Sequence, residues 1–285
     1  MRVILKIVSI LLILAGCTNM DRPVDKSRLL PYDYRLFQGT EAWQLAKAAE
    51  MKDIRRVNQL LDDNPELANI ADSVYGNTLL MLAIINQDYN LFKTLLENGA
   101  NVNYYNLYNG NSPLIEACDY KENDPVFAMD LIEYGANVND TSPKHRTPLM
   151  AAVRWGNRTL IEYLIKKGAN IDYKADIGTN ILGQSLVSWE YATTLLLLEN
   201  GADYTATVYN TVDEHGKLTV PLSILEALRC AIPDWGTSGY RKKKEIIKFL
   251  KERGLDYDTV PIPEYVIKRI KEDHPLSWKW YLQNY

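Results

Sequence analysis

Four short motifs recur along this 285-residue chain: Glu97-Asn98-Gly99-Ala100-Asn101, Glu133-Tyr134-Gly135-Ala136-Asn137, Lys167-Gly168-Ala169-Asn170 and Glu199-Asn200-Gly201-Ala202-Asp203. Their glycines lie 36, 33 and 33 residues apart. A fixed period of this length restricts the chain to stacked, near-identical supersecondary units, because one unit of about 33 residues cannot bury its apolar face alone.

Upstream of each glycine stands a second marker: Thr78-Leu79-Leu80, Ser112-Pro113-Leu114, Thr147-Pro148-Leu149 and the weaker Thr179-Asn180-Ile181. A Thr or Ser oxygen accepts an orphan backbone N–H at a helix start, and a following Pro has the φ that a first turn needs. The glycine after each apolar run suits the left-handed residue that ends a helix. Leu91, Leu95 and Leu96, like Leu160, Leu164 and Ile165, lie at helical spacing and predict the buried stripe of a second helix. Ala83, Ala117 and Ala152 leave room for neighbouring units to approach.

These openings resemble the T-P-L-H-x-A-A signature of the ankyrin-repeat family. The resemblance covers about residues 40–257 and implies an all-α ankyrin-repeat solenoid, helix-turn-helix units joined by β-turn or hairpin loops. Four clear repeats fall at 76–108, 110–144, 146–176 and 178–204. Residues 41–61 read as an N-terminal capping pair, 221–254 as a sixth unit, and 264–271 as a last capping helix. The glycine gap into the sixth unit is 53 residues. Its excess over the period falls at 205–219 and 233–240.

The N-terminus has a different character. Arg2 and Lys6 precede an apolar run at 7–14, broken only by Ser9 and too short to span a bilayer, which needs about 20 apolar residues. The run ends in Leu14-Ala15-Gly16-Cys17, which resembles the lipobox of bacterial lipoproteins. That resemblance implies a signal peptide at 1–16, lipidation of Cys17, a lipid-anchored tether at 17–39 and a repeat domain at 40–285. In that family an Asp directly after the cysteine goes with inner-membrane retention, and since Thr18 stands there the resemblance implies delivery to the outer membrane, facing the periplasm. The tether is polar, contains Pro23 and Pro31, and is expected to let the body hang free of the lipid. Removing Arg2 and Lys6 takes the 32 basic residues to 30 against 36 acidic ones. A mildly acidic body argues against nucleic acid or anionic headgroups as the main partner. Cys118 and Cys230 are expected to be unpaired, since units three apart in a stack exceed the roughly 7 Å Cα limit of a disulfide.

Chemistry is absent from the pattern. His145, His215 and His274 have no second His or Cys at ligand spacing, so no metal is expected, and each reads as a solvated loop residue. No nucleophile elbow, phosphate loop or dinucleotide fingerprint occurs, so no cofactor and no catalytic residue is assigned. Asp213, His215 and Asp234 in the insertions lack a convergent arrangement. Gly236-Thr237-Ser238-Gly239 reads as a flexible loop, and Lys242, Lys243 and Lys244 as the solvated face of a helix.

Surface aromatics are the remaining signal. Tyr75, Tyr104, Tyr105, Tyr108 and Tyr173 fall in turns between repeats, and Trp155 and Trp189 near the ends of first helices. Tyr and Trp bury large area with few rotatable bonds and are enriched at binding hot spots. These seven residues are the candidate partner-binding set. The ankyrin resemblance implies that such turns and first helices line one concave face. The overall plan also resembles the periplasmic immunity lipoproteins that block type VI secretion lipase effectors, which implies a phospholipase as the bound protein. An envelope scaffold or adaptor holding a resident protein is the alternative.

Overall fold

Where the sequence places a capped helix start, the backbone turns into a helix. The computed structural model describes residues 20–119, 124–175, 178–212, 218–234 and 236–284, so Cys17, the proposed signal peptide, Asp213 and His215 lie outside the described residues. The chain divides after Pro113 into two compact units.

The first unit holds α1 (Trp43–Glu50), α2 (Ile54–Asp63), α3 (Leu79–Asn86) and α4 (Tyr89–Glu97) as two helix pairs. Thr78 caps α3 by accepting from the Met81 N–H, and Asp88 caps α4 by accepting from that of Leu91. All six residues from Leu79 to Ile84 are buried, so this first helix is apolar around its whole circumference. In α4 only Leu91, Phe92, Thr94, Leu95 and Leu96 are buried, the one-sided stripe of a helix facing solvent on its other side.

The described part of the segment expected to act as a tether is packed on the repeats. Tyr34, Leu36 and Phe37, in a short 3-10 turn at Tyr34–Phe37, are buried core residues of this unit. The chain before them is hydrogen-bonded to the repeats: Tyr75 Oη donates to the Leu29 carbonyl, Asn77 Nδ2 to that of Pro31 and Asn86 Nδ2 to that of Tyr32. Burial of Tyr34, Leu36 and Phe37 holds the segment on the repeats, and the hydrogen bonds give its carbonyls fixed donors.

The second unit continues the pairs: α5 (Pro113–Cys118) with α6 (Pro125–Glu133), α7 (Pro148–Trp155) with α8 (Arg158–Lys166), and α9 (Ile181–Val187) with α10 (Tyr191–Glu199). Thr147 caps α7, but the cap of α9 is Asn180, one residue later than its Thr179 marker, because the Asn180 side chain accepts from the Gly183 N–H at 2.8 Å. Among the described residues of the 205–219 excess and just after it, β1 (Tyr209–Val212) and β2 (Leu218–Leu222) pair antiparallel, with Tyr209 opposite Leu222. This hairpin is joined to the repeats at its base, where the Val208 carbonyl accepts from Asn180 N. The second excess is partly helix: α12 (Ser238–Lys251) is 14 residues long and packs on α10, following α11 (Ile224–Cys230). Two terminal helices, α13 (Glu264–Asp273) and α14 (Trp278–Asn284), enclose a small core of Val266, Ile270 and Tyr281. Only the first of these was expected.

Two further expectations need correction here. Lys243 does not line a solvated face; its side chain is 2% exposed and donates to the Ala231 carbonyl. His274 lies in a loop but is only partly solvated, since its ring stacks on Tyr281 with centroids 4.5 Å apart. Helical spacing explains the first, because Lys243, Ile246 and Leu250 share one buried stripe of α12.

Candidate functional site

A turn stitched by side chains holds the aromatics of the first unit. Asp72 accepts from the backbone N–H groups of Val74, Tyr75 and Asn77, which fixes the 72–77 turn. The next turn is tied to it: the N–H groups of Leu107 and Tyr108 both donate to the Tyr75 carbonyl. Gly76 is required at this crossing, because a Cβ there would lie 2.6 Å from the Leu107 backbone nitrogen. Tyr75 and Tyr108 consequently meet edge to face with centroids 5.5 Å apart. Around them Tyr105 is 48%, Tyr108 67% and Leu107 77% exposed, while Tyr75 and Tyr104 are half-buried. The structure thus brings Tyr75, Tyr105 and Tyr108 onto adjoining turns together with Leu107 and Val74, which the sequence reading missed.

In the second unit Trp155 is half-buried at the end of α7, where its indole N–H donates to Asp119 Oδ1 at 3.3 Å. Asp119 also pairs with Arg146 at 2.5 Å, and the Arg154 guanidinium lies over the Trp155 ring at 5.4 Å. Tyr173 is half-buried in the turn after α8.

Trp189 stands apart. The residue that joins first and second helix takes a left-handed backbone in several repeats: Gln87 has φ 58°, Gly156 64° and Trp189 61°. Gly is the residue that pays no steric penalty there, and a bulky side chain is an outlier. Trp189 is nevertheless 51% exposed, its ring set edge-on against that of the buried Tyr191 at 6.5 Å.

Among the described residues there is no cluster of three His, Cys, Asp or Glu that could hold a metal. His145 sits in a turn with φ 55°, and Asp234 is exposed in a loop. These surfaces carry exposed aromatic rings, the Asp119-paired guanidinium of Arg146 and hydrogen-bonded turns. Paired helices stacked at a 33-residue period, with exposed aromatics in the connecting turns, define a repeat scaffold for macromolecular contact.

The family model for ankyrin repeats, in three copies, matches residues 45–142 and 121–208, together more than half the chain, and the chain belongs to that family. Ankyrin repeats are generally non-enzymatic modules that bind other proteins. One ankyrin repeat protein of Acanthamoeba polyphaga mimivirus is 36% identical over 96 residues, 31% of this chain and 59% of that protein. A second from the same virus is 26% identical over 148 residues, 50% of this chain and 19% of its own length. One from Fowlpox virus is 32% identical over 127 residues, 45% of this chain and 29% of its own length. The chain therefore spans less than two thirds of these curated relatives.

Proposed function

We propose that this protein is a lipid-anchored ankyrin module of the bacterial envelope, held at the membrane by Cys17, that binds and blocks a secreted phospholipase. The observation that carries the binding part is Trp189. A half-exposed indole in a left-handed turn costs the fold of order 1 kcal/mol that Gly would not, and contact with a partner offsets that cost. Trp155, braced by Asp119 and Arg154, and the Tyr105–Tyr108 turn supply further preorganised aromatic area. Anchoring an inhibitor on the membrane that the phospholipase attacks raises its effective concentration at the threatened surface.

The experiment is Trp189→Gly. Tagged mature protein captures its partner from envelope membranes, and the binding constant and the thermal melt of the variant are compared with the parent. Relief of strain raises the melt while loss of the indole weakens binding at least tenfold, the scale of a hot-spot truncation of about 2 kcal/mol. A raised melt with unchanged binding places recognition elsewhere. The captured protein decides the finer reading: one with phospholipase activity that the repeats inhibit supports the immunity role, and a resident envelope protein makes this chain a scaffold.

A further inference from the structure

Two side chains immobilise the start of the described chain. Gln38 Nε2 donates to the carbonyls of Met20 at 2.6 Å and Arg22 at 2.9 Å, and its Oε1 accepts from the Val24 N–H at 3.3 Å. Asp21 accepts from the Trp43 indole at 3.0 Å and from Lys47 Nζ at 2.9 Å, and these lower its carboxyl pKa, the Lys47 hydrogen bond most. Trp43 and Lys47 are four residues apart on α1 and share a face, with the Lys47 ammonium 5.6 Å from the indole centroid. From Met20 onward the backbone is therefore fixed along the Trp43–Lys47 face of the first helix pair.

Only Thr18 and Asn19 separate Met20 from Cys17. Three Cα steps span at most about 11 Å. The polar layer of one leaflet, half the difference between the whole bilayer and its hydrocarbon core, is roughly 5–8 Å. An acylated Cys17 must sit at the inner edge of that layer, so Met20 can clear the headgroups by only a few ångströms.

We propose that residues 20–28, with Trp43 and Lys47, form a membrane-resting surface that lies on phospholipid headgroups; this rests on the reading of Cys17 as the lipidated residue. The chemistry suits that occupant. An indole with its N–H engaged by a carboxylate is the amphipathic kind of group enriched at the headgroup level. Within the surface four cations, Arg22, Lys26, Arg28 and Lys47, face two carboxylates, Asp21 and Asp25, in a chain whose net charge is -4.

The test uses the full-length lipidated protein in phosphatidylethanolamine and phosphatidylglycerol vesicles doped with a headgroup-nitroxide lipid. Tryptophan quenching is compared between the native chain, Trp43→Phe, and a variant with twenty Gly/Ser residues inserted between Asn19 and Met20, a coil of roughly 25 Å. Fatty-acid labelling is followed in all three. The expected result is label in every protein, with nitroxide quenching that falls both when Trp43 is replaced and when the spacer is present. Label with quenching that neither change reduces overturns the membrane-resting surface and leaves the lipidation reading standing. Absence of label overturns both.

Discussion

The phenol of Tyr75 donates to the carbonyl of Leu29 across 46 residues of sequence, at 2.9 Å. The same ring meets Tyr108 edge to face. Tyr75 is thus a clasp between the N-terminal segment and the turn that holds Tyr108, and the exposed apolar area beside it belongs to Tyr105, Leu107 and Tyr108.

Tyr75→Phe keeps the ring and removes the donor. The Leu29 carbonyl loses its partner, at a cost of about 1 kcal/mol, which is roughly 2–4 °C in the melt of a domain this size. Trypsin should then cut faster after Arg28. Cleavage there at the parental rate, with an unchanged melt, would show that the clasp contributes nothing.

Gly183→Ala reverses the usual sign of this substitution. In a helix interior alanine is favoured over glycine by up to about 1 kcal/mol. Here a Cβ would lie 2.0 Å from the Val208 carbonyl oxygen and 3.3 Å from the Thr179 methyl, so the base of the hairpin must move. A net loss of about 1–3 kcal/mol is expected, read from denaturant unfolding. A gain in stability would mean that the hairpin is not seated against α9.

Lys243 gives the stability a pH dependence. Burial, then the nearby charges of Arg229 and Lys244, hold its ammonium well below the ordinary lysine range. Between that depressed value and the unfolded value near 10.4, the unfolded chain binds a proton that the folded chain lacks, so stability rises with pH across the window. Against Lys243→Met, the parent should therefore gain in melting temperature as the pH is raised from 7 toward 10. Titrating tyrosines are common to both proteins and largely cancel. Parallel melts at every pH would remove Lys243 as the cause.

The two thiols should differ in reactivity. Cys118 is buried, and desolvation followed by the Asp119 charge pushes its pKa far up, whereas Cys230 is only half-buried. Alkylation of the native protein at pH 8 should modify Cys230 first and Cys118 only on unfolding. Mass spectrometry of unreduced protein that returned a Cys118–Cys230 crosslink would refute the repeat register.

The repeats were legible because their signals are local. Thr147-Pro148 at a helix start and Gly168 at a helix end each act within one turn of chain, so the sequence reads them directly. The N-terminal segment was misread because Tyr34, Leu36 and Phe37 are too few to show a period, and what holds the segment is hydrogen bonds to residues 46 to 54 positions away. The hairpin was missed because its pairing is set by Val208 reaching α9. Lys243 had a usable signal, its register with Ile246 and Leu250, which the basic run obscured. Among the binding candidates, sequence identified Trp189 as aromatic, but its left-handed backbone is visible only in three dimensions.

Backbone N–H groups also cross from repeat to repeat: Asn101 N donates to Asn69 Oδ1, Asn170 N to Asn139 Oδ1 and Asp203 N to Asp172 Oδ1, over 32, 31 and 31 residues. These bonds act as a ruler over the intervals that they span, since residues gained or lost between the two partners would have to be looped out for the rung to form. At Thr205 the ruler ends. Its N–H donates two residues back, to Asp203 Oδ1 at 2.8 Å, as the matching N–H does in the earlier turns. But where Asn139 and Asp172 offer an acceptor oxygen to the next repeat, Thr205 has a hydroxyl that donates to the same Asp203 Oδ1 at 2.6 Å. The glycine spacing opens from 33 to 53 residues immediately afterwards. Sequence added beyond Thr205 displaces none of these three rungs, whereas across the rungs at Asn139–Asn170 and Asp172–Asp203 the 33-residue glycine spacing is kept.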